Sequence, residues 1–492
     1  MKRCNGIVFI NILCSLLQQV VVTISGFILP RLIINVFGSE VNGLISSLTQ
    51  FLSYISLIEG GLTGVVAANF YKPLTAGDDV LLSRVIKTAS NFYKKIALIF
   101  FCYTVVIALL YPLVVKSNFS FSYIFTLTFI LSINFIVQYL FSITWKTLLS
   151  ADKKGYLVSL SYILVVILNT VISCLIIHFY PNIKLVKLVS AAIYLIQPLI
   201  YHLFIKKHYK ITKKIDTDNE LLAQRWDGFA INIAAFVHNN TDVVILTLMA
   251  SLSDVSVYAV YLMVVNGLKS IVMAVSQAIV PSIGFAYAKG NKTELDIAFN
   301  KYEFVVLFLT YFLFTVGGLC ISPFIGLYTS GITDYNYNQP VFAWILVVSE
   351  LIYCAKEPYL MMAYSANKFK EFKKIAYIEA AINICVSVSL VKFLGITGVA
   401  IGTLIAMTFR TVCQIVYLHH QILERSFFQL FYEIFLYSIC MVLMIYVSRK
   451  FFEIREVSVF NWILYAVKNS VLAISVFGMS SVFIYRKKMK RK

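Results

Sequence analysis

Apolar runs of about 20 residues or more, each closed by a short polar stretch, follow one another along the whole chain. In the first half they cover 7–34, 41–66, 94–115, 120–147, 156–180, 185–205 and 227–250. In the second half they cover 255–287, 301–328, 339–364, 372–392, 396–418, 429–448 and 461–485. At roughly 1.5 Å per residue, a run of that length crosses the hydrocarbon layer of a bilayer as a helix. A helix bonds all of its own backbone groups, which that layer demands. The pattern therefore predicts an all-α integral membrane protein with about fourteen transmembrane helices. The opening MKRCNGIVFINILCS carries the charge and apolar stretch of a secretory leader. Its apolar run is too long for one and has no small-residue cleavage site, so an uncleaved first helix is expected.

The polar stretches repeat at an offset of about 214 residues, the mark of an internal duplication. FGSEVNG (37–43) falls on SLSDVSV (251–257), and KPLTAGDD (72–79) falls near YAKGNKTE (287–294). LLSADKKGYLVSLSYI (148–163) falls on AYSANKFKEFKKIAYI (363–378), and Asn169 keeps register with Asn383. An even number of spans per half gives both halves one orientation, a parallel repeat with a substrate site expected between them. The expected organisation is an N-lobe of six helices over 1–205, a cytoplasmic linker over 206–226 and a C-lobe of six helices over 227–420. Two further helices and a basic tail fill 421–492. The linker, KKHYKITKKIDTDNELLAQRW, reads either as a surface-lying amphipathic segment or as a plain solvated connection.

Composition agrees with lipid as the main solvent: 60% of residues are hydrophobic and only 13% charged, with a mean hydropathy of +0.83. A formal charge of +19 raises the question of nucleic acid. The basic residues answer it, because they gather in alternate connections (Lys72, Arg84 and Lys87; Lys153 and Lys154; Lys206, Lys207 and Lys210; Lys373 and Lys374) and in the tail RKKMKRK. That is the positive-inside pattern, with both termini cytoplasmic and anionic lipid as the attracted partner. The nine cysteines and six histidines are scattered without a disulfide or metal-ligand spacing, so no metal site is expected.

Polar residues recur at helical spacing inside several spans. Asn11, Ser15, Gln18 and Ser25 stripe the first; Asn232, Asn239 and Asp242 stripe the seventh; Asn266, Lys269 or Ser270, and Gln277 stripe the eighth. A single such residue is ordinary helix glue. Matching stripes on repeat-equivalent helices point instead to a water-filled cavity. Charges lie deep as well: Lys269, Lys356 and Arg410, with Glu59, Asp242, Glu350 and Glu357. Lys269 is too far from either end of its span to snorkel to water. Two accounts of these charges follow. One is structural ion pairing, Lys269 with Asp242 or Glu350 and Arg410 with another carboxylate. The other is a cationic cavity for an anionic head group, formed by Lys269, Arg410 and Lys356, with Arg31 at its mouth. Gln197 is the repeat counterpart of Arg410. Gly60, Gly61, Gly64, Pro30, Pro281 and Pro358 fit helices that bend or break.

LPRLIINVFGSEVNGLISSLTQFLSYISLIEGGLTGVV (29–66), followed by KPLTAGD, resembles the start of bacterial polysaccharide-export flippases of the multidrug/oligosaccharidyl-lipid/polysaccharide (MOP) superfamily. The repeat and the span count extend the resemblance over essentially the whole chain. It implies two six-helix lobes in the bacterial cytoplasmic membrane. It also implies transport of undecaprenyl-diphosphate-linked oligosaccharide repeat units from the inner to the outer leaflet, as in lipopolysaccharide or capsule biosynthesis. No cofactor is implied. Coupling to protons, sodium ions or the membrane potential stays open, with Asp242, Glu350 and Glu357 as the carboxylates concerned. A polysaccharide polymerase and other assembly proteins are the implied protein partners. The related lipid II flippases gather arginines on the first lobe, including the second helix; here the middle of that helix holds Tyr54, and the deep cations lie mostly in the second half.

Three other classes compete. A multidrug exporter of the same superfamily favours an acidic cavity, which three deep bases oppose. A membrane polymerase or ligase usually carries a large outer loop, and no nucleophile–base pair or phosphate loop supports chemistry on a substrate. An inert scaffold or channel leaves the buried charges without a purpose.

Overall fold

The computed structural model describes residues 2–59, 62–212, 215–222, 240–366, 368–423, 428–452 and 458–489. These residues form helices and short connections, with no strand among them. In chain order the helices are α1 (Lys2–Phe37), α2 (Ser39–Ser53, resuming as Leu62–Ala76), α3 (Asp79–Val114), α4 (Phe121–Ala151) and α5 (Gly155–Phe179). They continue as α6 (Ile183–His208), α7 (described over Asn240–Met249), α8 (Leu252–Ala288), α9 (Lys292–Tyr328) and α10 (Pro340–Ala355, resuming as Glu357–Ser365). The series closes with α11 (Phe369–Leu394), α12 (Ile396–Leu423), α13 (Phe428–Phe451) and α14 (Val459–Met489). Each expected span holds a helix where it is described, the seventh only over Asn240–Met249. Among the described residues, 11 of the helices are long and apolar enough to cross a membrane. The three that fall short are α2 and α10, which are interrupted, and α7, whose first part (227–239) lies outside the described residues.

The polar stretches end and start these helices by ordinary means. Gly38 takes φ 89°, a conformation that a side chain disfavours, and turns α1 into α2. Asp78 caps α3 by accepting from Val80 N and Leu81 N at 3.0 and 2.9 Å. Asn291 caps α9 in the same manner, accepting from Thr293 N and Glu294 N. Pro30 and Pro281 do not end their helices: α1 and α8 run on past them. Pro358 does break α10, because its ring has no N–H to bond the carbonyl four residues back and crowds that carbonyl.

The chain divides into two compact units, Met1–Ser256 and Val257–Lys492. In the first, Tyr93, Phe100, Leu148 and Tyr201 are fully buried in one core, and Leu44, Leu48 and Leu127 in another. Helix α7 and the first turn of α8 belong to this unit through buried polar contacts. Ser47 and Thr247 share a hydrogen bond of 2.7 Å, and Asn42 Nδ2 donates to Ser256 Oγ at 2.8 Å. Asn42 and Ser256 are 214 residues apart, so repeat counterparts touch. Backbones meet there too: a Cβ on Gly43 would stand 1.7 Å from the Leu252 carbonyl oxygen. Two members of the α1 stripe are helix glue. Asn11 accepts from Tyr156 N at 2.7 Å at the start of α5, and Ser25 pairs with Thr170 at 2.5 Å. The described part of the linker is tied to this unit as well: Thr212 N donates to Ser83 Oγ and Asp218 N to Thr88 Oγ1, each at 3.0 Å.

In the second unit α11 and α12 pack so closely that a Cβ on Gly402 would lie 2.1 Å from Ser387 Oγ. Helices α13 and α14 pack on α9, where Trp462 Nε1 donates to the Cys320 carbonyl at 3.1 Å and Tyr311 pairs with Ser438. Large apolar side chains such as Leu113, Leu164 and Phe393 stay exposed, as they do where lipid is the solvent.

Candidate functional site

The deep charges of the second unit form one cluster. Helix α10 supplies its core: Glu350 and Tyr353, at i and i+3, share one face of its first segment, and Glu357 opens the second. Lys356 sits at the break itself. Helix α8 adds Lys269, α11 adds Glu379 and α12 adds Arg410. Lys269 Nζ lies 2.9 Å from Glu350 Oε2, and Arg410 Nη1 lies 2.9 Å from Glu379 Oε2. The Tyr353 ring takes two ammonium groups, Lys269 Nζ at 3.7 Å and Lys356 Nζ at 3.6 Å from its centroid. Such contacts gain about 2 kcal/mol or more when water is absent.

Lys356 and Glu357 are both fully buried. Neighbours in a helix do not face each other. Among the described residues neither the Lys356 ammonium nor either Glu357 oxygen has a hydrogen-bond partner. Lys356 remains within electrostatic reach of Glu357, Glu379, Arg410 and Lys269, which joins the two ion pairs into a single network. Its formal charge balances: three bases (Lys269, Lys356, Arg410) against three carboxylates (Glu350, Glu357, Glu379). Each closed pair is costly to break, because removing one partner of a buried pair costs about 3–5 kcal/mol.

Glu379 is absent from the sequence reading. It lies in FKEFKKIAYIEAAINI, where the preceding charges make the segment read as the polar end of a span. One signal was available: Asn383, one turn further on, keeps register with Asn169. Asn383 is itself buried and donates to Thr403 Oγ1 at 2.9 Å, on the face of α12 that also carries Arg410.

Of the remaining sequence candidates, Asn266, Ser270 and Gln277 lie on α8 in the second unit, and the others fall in the first. Glu59 accepts from Tyr139 at 3.0 Å and from Thr63 at 3.1 Å. Asp242 is buried on α7, close to Tyr54, whose hydroxyl pairs with Thr241. Arg31 is half-buried near the end of α1. Asn232 and Asn239 lie outside the described residues, as do Gly60 and Gly61. Gln18 and Gln197 face a cavity of about 410 Å³ built from α1, α4, α5 and α6. Its wall on α4 includes a π-helical turn, Gln138–Ser142, a form that recurs at functional sites.

The fold is similar to that of solved membrane transporters. The lipid II flippase MurJ, in an inward closed conformation, matches at a TM-score of 0.73 and 15% identity, over 98% of this chain and 100% of that one. A multidrug resistance MATE family transporter of the MOP superfamily, inward-facing, matches at 0.61 and 13%, over 80% of this chain and 93% of that one. The MATE multidrug transporter DinF-BH, in complex with R6G, matches at 0.60 and 15%, over 85% and 94%. No protein-family model and no curated protein matches the chain.

Proposed function

We propose that the protein is a flippase that carries undecaprenyl-diphosphate-linked oligosaccharides from the inner to the outer leaflet of the bacterial cytoplasmic membrane by alternating access. The observation that carries this reading is the cluster of Lys269, Lys356 and Arg410 deep among membrane helices. A diphosphate brings negative charge that hydrocarbon excludes, and bases held in advance on carboxylates and a tyrosine ring can exchange those partners for phosphate oxygens. The fold supports the reading, since the likeness to the lipid II flippase runs over nearly the whole chain, α13 and α14 included. With the cell interior negative, outward passage of net negative charge gains about 2.3 kcal/mol per charge per 100 mV, so we assign the driving force to the membrane potential.

The test is movement of fluorescent undecaprenyl-diphosphate oligosaccharide between the leaflets of liposomes holding the purified protein. Wild type is expected to move it, and Lys269→Ala and Arg410→Gln to slow it at least tenfold. A charge-free replacement of one pair, Lys269→Met with Glu350→Leu, separates the two roles of the lysine. A purely structural pair tolerates well-packed apolar substitutes. The double variant is therefore expected to melt near wild type and still fail to move the lipid; restored movement would return Lys269 to a structural role. Export of multidrug substrates is the second reading, favoured by the MATE likeness. It predicts extrusion of organic-cation dyes, and no movement of the glycolipid.

A further inference from the structure

The cavity of the first unit has a lining unlike the charge cluster. Five carboxamides turn toward it: Gln18 and Gln19 from α1, Asn134 and Gln138 from α4, and Gln197 from α6. Two phenols, Tyr162 of α5 and Tyr194 of α6, complete the wall, with their ring centroids 6.5 Å apart. Among the described residues Lys146 is its single charged lining residue, and no Asp or Glu lines it. The level is deep, since Asn134 lies 13 residues into α4, roughly 20 Å along the helix axis.

Carboxamides at that depth need partners. An amide offers two donors and two acceptor lone pairs, and leaving them unpaired away from water costs several kcal/mol. Gln197 spends one donor on Tyr201, at 2.8 Å. Among the described residues the Asn134 carbonyl oxygen is buried without a partner, while Gln18 is half-buried and Gln19 and Gln138 are exposed, their amides open to a ligand. An apolar ligand would leave those groups unsatisfied. An organic cation would meet Lys146 and no carboxylate in the lining. What matches is an uncharged molecule with many hydroxyl and acetamido groups on alternating donor and acceptor positions, together with flat C–H faces for the tyrosines. That is the chemistry of a neutral saccharide. The volume falls within the usual range for a small-molecule site.

We infer that this cavity binds the uncharged sugar portion of the lipid-linked substrate, with Gln138 and Gln197 as hydrogen-bonding residues and Tyr162 as the stacking face. The inference rests on the flippase reading for the source of the sugar, and the recognition itself is testable apart from transport. The full-length protein in detergent is presented with lipid-free neutral oligosaccharides of two to five hexose and N-acetylhexosamine units, and binding is followed by saturation-transfer NMR. Wild type is expected to bind at least one member of the panel saturably. Gln138→Leu combined with Gln197→Leu is expected to weaken that binding at least tenfold, while Leu164→Ala, on the exposed face of α5, leaves it unchanged. Should the double variant melt early, Tyr162→Leu replaces it with the same expectation. Failure of wild type to bind any oligosaccharide overturns the inference, and so does binding that ignores the cavity variants. The parent reading fails differently: sugar binds and responds to the cavity variants, yet liposomes show no movement of the lipid-linked form.

Discussion

Tyr353 holds an ammonium group against its ring from each of two lysines, and that arrangement fixes what substitutions at this position do. Tyr353→Leu keeps an apolar body but loses both cation–π contacts, an expected loss of about 2–4 kcal/mol that thermal melting in detergent reads. Tyr353→Phe keeps the ring and is expected to retain most of that stability. Arg410→Gln leaves Glu379 buried beside an uncharged amide, for an expected cost of about 3–5 kcal/mol. Adding Glu379→Gln to it is expected to recover part of that loss. The bases of this cluster were legible in the sequence because a charge inside an apolar run stands out at once. Their partners were only half legible. The sequence offers Lys269 either Asp242 or Glu350, and it pairs with Glu350. Glu379 was hidden by the lysines that precede it, which make its surroundings look like the end of a span.

At the scale of elements, run length located the long helices of the described residues but not the breaks, because hydropathy averages over the residues that decide them. The α10 break follows from Pro358, a local covalent fact, whereas Pro30 and Pro281 sit in helices that continue. Close packing was equally invisible: nothing in VNGLIS marks Gly43 as the crossing point with Leu252. Gly43→Ala places a methyl carbon 1.7 Å from a backbone oxygen and is expected to abolish the folded monomer on size exclusion. Gly64→Ala, with nothing within 4 Å of the added carbon, is expected to be neutral or slightly stabilising. The linker shows a third element-scale effect. Tyr209 donates to Asp152 and accepts from Lys154 Nζ at 3.0 Å, joining the end of α6 to the α4–α5 turn. Burial, then the Asp152 carboxylate, push the Tyr209 hydroxyl above its usual range. A raised folded value means that the tie is fully present below the ordinary tyrosine pKa of about 10 and is lost as pH rises beyond it. Tyr209→Phe is therefore expected to speed tryptic cleavage after Lys210 at neutral pH, with little further change at pH 11.

For the molecule as a whole, the fold is that of solved flippase and multidrug transporters, and the all-helical architecture was readable from apolar run lengths alone. The substrate was less readable, since a base in a membrane helix suits a structural carboxylate as well as an anionic ligand. If the potential drives transport, imposing 100 mV with the donor side negative is expected to accelerate movement of the glycolipid, and reversing its sign to slow it. A rate indifferent to both would remove the potential as the driving force. The balanced cluster of the second unit also bears on how the chain is made. Helix α8 leaves the ribosome with Lys269 long before α10 brings Glu350, and a lone lysine at the centre of a helix costs about 2.5–3.5 kcal/mol on insertion. Glu379 and Arg410 are only 31 residues apart on adjoining helices and can enter lipid as one hairpin. During synthesis α8 is thus expected to hold less firmly in the membrane until α10 arrives with Glu350.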